Sequence, residues 1–154
     1  MPLTVIGENQ DPLIFMVNQL NGYTKDTSGT AIQLLTEFPQ SLNGVPAVII
    51  DMKTPIIQPL NIPPTKYRWY VPMNIYVWET SLADRFAVEG HVRDRILSLT
   101  YPFQQLTSNY VWMYVKDETI AANVTEFGTP LYQTIMTVEL IYDLTNPPLA
   151  TTPP

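Results

Sequence analysis

The clearest pattern in the chain is a strict two-residue alternation between 66 and 79. Tyr67, Trp69, Val71, Met73, Ile75 and Val77 fall on one face, and Arg68, Tyr70, Pro72, Asn74, Tyr76 and Trp78 on the other. A period of two sustained over a dozen residues predicts a long strand with one face in the core. Pro72 lacks a ladder donor and predicts an edge position or a bulge. The second face is polar but also aromatic, so Tyr70, Tyr76 and Trp78 are expected to meet something drier than bulk water, a helix or a neighbouring subunit.

The period then changes. Thr80 or Ser81 can cap a helix, and Asp84 follows at the position of a capping box. Leu82, Phe86, Val88, Val92, Ile96 and Leu99 predict a helix over 82–99. Glu89 and Arg93 form an i,i+4 pair in the favourable order. Gly90 weakens the helix centre by about 1 kcal/mol relative to Ala and leaves room for close approach to a sheet. Tyr101-Pro102 ends the element.

Upstream, Asp11-Pro12 marks a helix start, because Asp caps and Pro needs no amide donor in the first turn. Leu13, Met16, Val17 and Leu20 give that helix one apolar face over 12–21, and Gly22 stops it. Residues 1–10 read as an arm or a short edge strand. The run 23–30 is rich in turn formers and reads as an exposed loop. Residues 31–38 fit a helix or a strand, with Pro39 ending either. The branched apolar run 45–52 predicts a buried strand. The stretch 53–65 holds four prolines, which excludes a helix and a central strand. It reads as an extended surface segment, either packed on its own domain or laid against a partner.

Downstream, Val111, Met113 and Val115 alternate with Tyr110, Trp112, Tyr114 and Lys116. The polar run Lys116-Asp117-Glu118-Thr119 reads as a turn, with a return strand over 119–126. Leu131–Asp143 predicts a long final strand, with Tyr132, Met136, Val138, Leu140 and Tyr142 on one face. The proline-rich stretch 144–154 reads as a flexible tail. The order of elements predicts one α+β domain over 11–143. Its sheet is expected to be mostly antiparallel, with the long helix packed on one face and a short N-terminal helix. The strands near 67–79 and 131–143 should share that sheet, with helix 82–99 across them.

Composition narrows what such a domain does. The length of 154 residues suits one hydrophobic core. Charged residues are only 14%, against about 25% in ordinary soluble proteins, while aromatics reach 11%. Few charges and many aromatics point to a surface partly covered by other protein, or to a β-rich domain with Tyr in its strands. The net charge is −6 with only eight Lys and Arg, which argues against general attraction to nucleic acid. The absence of cysteine excludes disulfides, thiolate nucleophiles and Cys-based zinc sites. The opening residues do not read as a signal peptide, and no run of 18 apolar residues predicts a membrane span.

The chemistry of catalysis is sparse. His91 is the sole histidine and falls in the polar stretch Glu89-Gly90-His91 of the predicted helix. No phosphate-binding glycine loop and no GxSxG is present. The carboxylates Asp117 and Glu118 are explained by a turn, and Asp84 and Glu89 by the helix start and the pair with Arg93. The residues thus predict no catalytic site, no cofactor and no metal. Instead, Arg68, Tyr70, Tyr76, Trp78, Tyr110, Trp112 and Tyr114 lie on the nominally outer faces of two strands. Arg, Tyr and Trp are the types that anchor interfaces, so these seven are the candidate subunit interface.

The segments KYRWYVPMNIYVWET and SLADRFAVEGHVRDRILSLT run together, followed by NYVWMYVKDETI and LYQTIMTVELIYDL. Over roughly residues 66–143 this resembles the tail terminator and tail-to-head joining proteins of long-tailed bacteriophages. Ile75-Tyr76-Val77-Trp78 stands where that family has a strand ending in Trp, and Phe86, Val92, Ile96 and Leu99 where it has the helix core. The chain departs from the pattern in its short first helix and its long proline-rich stretch 53–65. The resemblance implies a structural protein of the virion, present in the host cytoplasm during assembly. It implies a hexameric ring that caps the tail tube, contacts tail-tube and head-neck connector proteins, and lets DNA pass without specific binding. The residues alone leave open another neck or baseplate component, a non-viral adaptor or binding module, or a small carboxylate enzyme.

Overall fold

The computed structural model describes residues 12–39, 46–100, 110–124 and 131–145. The expected N-terminal arm 1–10 lies outside the described residues, and so does the expected tail 144–154 except for Leu144 and Thr145, which end the last strand instead. The elements follow in the order α1 (Pro12–Leu20), β1 (Gln33–Leu35), β2 (Ala47–Met52), β3 (Ile56–Pro59), β4 (Lys66–Glu79), α2 (Leu82–Thr100), β5 (Tyr110–Val124) and β6 (Leu131–Thr145). The fold is mixed α+β. One six-stranded sheet has the order β1-β2-β4-β6-β5, and β3 continues the line of β2 alongside β4. All pairings are antiparallel except that of β1 with β2. No described helix is long and apolar enough to cross a membrane.

β4 and β6 are the axis of the sheet, paired from Lys66–Thr145 to Glu79–Tyr132. Their inward rows, Val71, Met73, Ile75 and Val77 with Met136, Val138 and Leu140, are fully buried. Val48 and Ile50 of β2 join them, and α1 and α2 cover that face through Phe15, Met16, Leu20, Val88, Val92 and Ile96. The two strands therefore share a sheet with the long helix across it, as their matched alternation predicts.

α1 ends as its sequence suggests. Gly22 adopts a φ of 84°, the left-handed conformation that stops a helix at low steric cost, and Tyr23 N–H donates to the Leu20 carbonyl at 2.9 Å. α2 starts on Ser81, whose Oγ accepts from Asp84 N at 3.1 Å and donates to Asp84 Oδ2 at 2.9 Å. The loop between α1 and β1 is tied to this cap. Asp26 Oδ1 accepts from Ser28 N and Thr30 N, and Thr27 N and Oγ1 donate to Asp84 Oδ1.

Three expectations are corrected. Residues 116–119 are not a turn: β5 is one strand of 15 residues, and its register to β6 shifts between Val115 and Asp117. Among the described residues β5 pairs only with β6, at the sheet margin, where charged residues are tolerated and discourage further strand pairing. Next, α2 is rotated from the expected stripe. Leu82 and Phe86 are exposed, whereas Arg85 and Glu89 are buried in line with Val88, Val92 and Ile96. Last, Gly90 makes no close approach to the sheet, since a Cβ there would meet only Arg93 Nη2 at 4.0 Å.

Arg85 occupies the core because the strand beneath supplies acceptors. Its Nη1 donates to Thr134 Oγ1 at 2.9 Å and lies 3.4 Å from the Gln133 carbonyl. Thr134 is the polar exception in the inward row of β6. Glu89 accepts from Arg93 Nη1 at 2.6 Å, the i,i+4 pair expected.

Candidate subunit interface

The outer face of the sheet is built on the even residues of β4. Lys53 N donates to the Pro72 carbonyl and Leu60 N to the Lys66 carbonyl, both at 2.9 Å. A strand residue points its N–H and C=O to the same neighbour, so the even residues of β4 bond towards β2 and β3 and the odd ones towards β6. The donor that Pro72 lacks therefore faces 53–55, where β2 gives way to β3 with one extra residue in its register to β4. This is the bulge that Pro72 predicted, and the β6 side stays intact.

Of the seven candidate residues, the structure places four on this face and divides them. Trp78 is only 5% exposed and sits in a small cluster with Ala47 and Ile49, flanked by Leu35 and Tyr76. Phe38 closes over it, with ring centroids 4.9 Å from Tyr76 and 5.7 Å from Trp78. The Trp78 indole N–H donates to Gln133 Oε1 at 2.7 Å. The drier surroundings expected for Trp78 are thus supplied by the chain's own segment 35–38 and β2, not by a neighbour. Tyr70 and Tyr76 are half-buried. Arg68 is half-buried too, forked onto its cross-strand partner Asp143, with Nε to Oδ1 at 2.8 Å and Nη2 to Oδ2 at 3.1 Å.

The other three candidates lie in β5, and their side chains fall outside the described residues. The backbone register pairs Tyr110 with Tyr142, Trp112 with Ile141 and Tyr114 with Glu139, with a shift between Tyr110 and Trp112. The three do not form one uninterrupted alternating row.

Exposed aliphatic side chains gather in the proline-rich stretch. β3 is an edge strand, and every residue from 56 to 66 is exposed. Ile56 is 60% exposed, Ile57 47%, Leu60 42% and Ile62 98%. Asn61 shapes the turn, its Oδ1 accepting from Thr65 N at 2.8 Å and Lys66 N at 3.2 Å. The Ile62–Pro63 bond is cis. The sequence carried the signal, four large aliphatic residues set among four prolines, but aromatic type drew the candidates to the neighbouring strands instead.

No protein-family model matches this chain, and no curated protein matches it in sequence.

The two ends of β4 differ in sign. Residues 53–70 contain Lys53, Lys66 and Arg68 and no carboxylate. Asp51 and Asp143 pair with Lys53 and Arg68, and Lys66 makes no ion pair among the described residues. At the far end Asp26, Glu79 and Asp84 gather closely enough to feel one another's charge. Hydrogen bonds from Thr27 hold the Asp84 carboxyl below the usual Asp range, and those from Ser28 do the same for Asp26. Burial pushes Glu79 up.

A shallow cleft of about 340 Å³ opens on the outer side of α2, lined by Tyr23, Lys25, His91, Asp94, Arg95 and Ser98. Its polar groups tie α2 to the preceding chain. His91 Nδ1 is 2.8 Å from the Lys25 carbonyl, and Arg95 donates to Gln19 while stacking on Tyr23. Among the described residues no group of three His, Asp or Glu is placed to hold a metal ion.

Asp84 sets an acid dependence. Its folded pKa lies below its unfolded value, so its contribution is fully present above an ordinary Asp pKa of about 3.9 and fades as pH falls through the lower folded value. In Asp84→Ala the urea midpoint should drop at neutral pH, with a shallower further loss than wild type as pH falls below about 4. Parallel pH profiles for the two proteins would show that the Thr27–Asp84 contact does not form in solution.

Proposed function

We propose that the chain is a structural subunit of a long-tailed bacteriophage virion. In this reading six copies close into a ring that terminates the tail tube and joins it to the head and neck. The observation that carries it is the eleven-residue exposed stretch 56–66 with its four uncovered aliphatic side chains. Uncovered aliphatic side chains gathered in one short exposed stretch favour a site of protein contact. The low charge content points the same way, and the resemblance over 66–143 selects the tail terminator among possible assemblies. A net charge of −6 suits a channel wall that DNA passes without being gripped.

Electron microscopy of intact particles, or of the protein mixed with tail tubes, tests the reading. Six copies at one end of the tube are expected. A protein absent from particles, or present only as a soluble monomer with no affinity for tube ends, overturns it.

A further inference from the structure

We infer that the hairpin formed by β3, the turn 60–65 and the start of β4 docks onto the N-terminal end of α2 in a second copy of this chain. The inference deepens the ring reading and rests on it for the number of copies, but the contact itself is argued from three features of one subunit.

The first is position. The hairpin tip lies beyond Lys66 and α2 begins just after Glu79, and β4 between them spans about 40 Å at roughly 3.3 Å per residue. Ile62 at the tip is 98% exposed, and Leu82 and Phe86 on the first two turns of α2 are 48% and 52% exposed. Two apolar patches at opposite ends of one molecule cannot cover each other. Copies arranged head to tail cover both, and such contacts between unlike patches build rings when the rotation closes.

The second is charge. The hairpin end carries Lys66 in surplus and no carboxylate within 53–70. The α2 end carries Asp26, Glu79 and Asp84, and Arg85 beside them is turned into the core. With Arg85 and Lys25, the neighbour of Asp26, both counted, three carboxylates still outnumber two cations at that end. A hairpin-to-hairpin contact would oppose like charges, whereas hairpin to α2 joins opposite ones.

The third is the edge itself. Leu60 N–H points to β4, so by alternation the N positions of Ile57 and Pro59 point outward, and Pro59 has no hydrogen there. The outer edge of β3 offers a donor at Ile57 and none at Pro59. It is a poor template for sheet extension, so the hairpin docks through its side chains.

The chain has no cysteine, which permits a clean test. Ile62→Cys and Phe86→Cys are made separately in full-length chains of different tag length, and circular dichroism confirms both folds. They are then mixed and treated with a short bis-maleimide. A heterodimer is expected as the dominant product, with little homodimer in either variant alone, and its yield should fall as salt rises and screens the charges. The double variant should give a ladder of linked chains. A ladder closing at six supports the ring as well. An open ladder supports the contact and overturns the six-membered ring. Homodimers of Ile62→Cys in excess of heterodimer, or no linkage at high protein concentration, overturn the inference.

Discussion

Replacing Ile96 with Ala should lower the unfolding free energy by about 2–5 kcal/mol, the loss expected when a buried aliphatic side chain is cut back to a methyl. Ile96 is fully buried in the main cluster with Val88, Val92 and the inward rows of β4 and β6. Both terms of that cost apply. The removed methylenes lose their transfer free energy, and the surrounding side chains collapse poorly because they stand on the paired backbones of a sheet. Urea titration of the isolated protein measures it, with the midpoint falling and the slope unchanged. Phe86→Ala is the internal contrast. Although Phe86 belongs to the same predicted helix stripe, it is 52% exposed and its removal should shift the midpoint far less. Equal losses at the two positions would show that α2 sits on the sheet in a different rotation.

Trp78→Ala should destabilise the monomer by about 3–5 kcal/mol, the range for emptying a buried aromatic site. The expectation reverses the one drawn from residue type, which made Trp78 an anchor for a neighbouring subunit. With Ala47, Ile49, Tyr76 and Phe38 around it, its burial is complete within one chain. Trp78→Phe separates packing from hydrogen bonding. It keeps most of the ring and drops the donor to Gln133, for a cost of about 1 kcal/mol. If Trp78→Ala left the monomer's urea midpoint in place and reduced only assembly, the small cluster under Phe38 would not exist in the free subunit.

The long periodic elements were legible because one face of each is uniformly apolar. β4, β6 and the existence of α2 follow from spacing alone, the stop at Gly22 follows from residue type, and the cap was narrowed to Thr80 or Ser81, of which the structure uses Ser81. What spacing could not show is which side of α2 turns inward. Leu82 and Phe86 look like core residues, and Arg85 does not. The fold inverts them because Thr134 interrupts the inward row of β6 with a hydroxyl, and Arg85 bonds to it. That threonine was the available signal, readable only once β6 and α2 were known to face each other. The polar run at 116–119 misled for a related reason. A strand at the sheet margin carries charge freely, and a register shift leaves no trace in a period-two pattern. For a candidate interface, Trp and Tyr drew attention to β4 and β5, whereas the most exposed large hydrophobic among the described residues is Ile62, in a stretch that the sequence allowed either to pack on its own domain or to lie against a partner.

Pro59 bears on how this protein behaves when it is made in excess. At high protein concentration a bare strand margin seeds stacking of one chain on another. At the margin of β3 the proline ring stands where the next backbone would seek its bond, so growth by that route stalls after at most a single rung. Collisions there are short-lived, and copies of the chain stay dispersed at concentrations where an unblocked margin would stack.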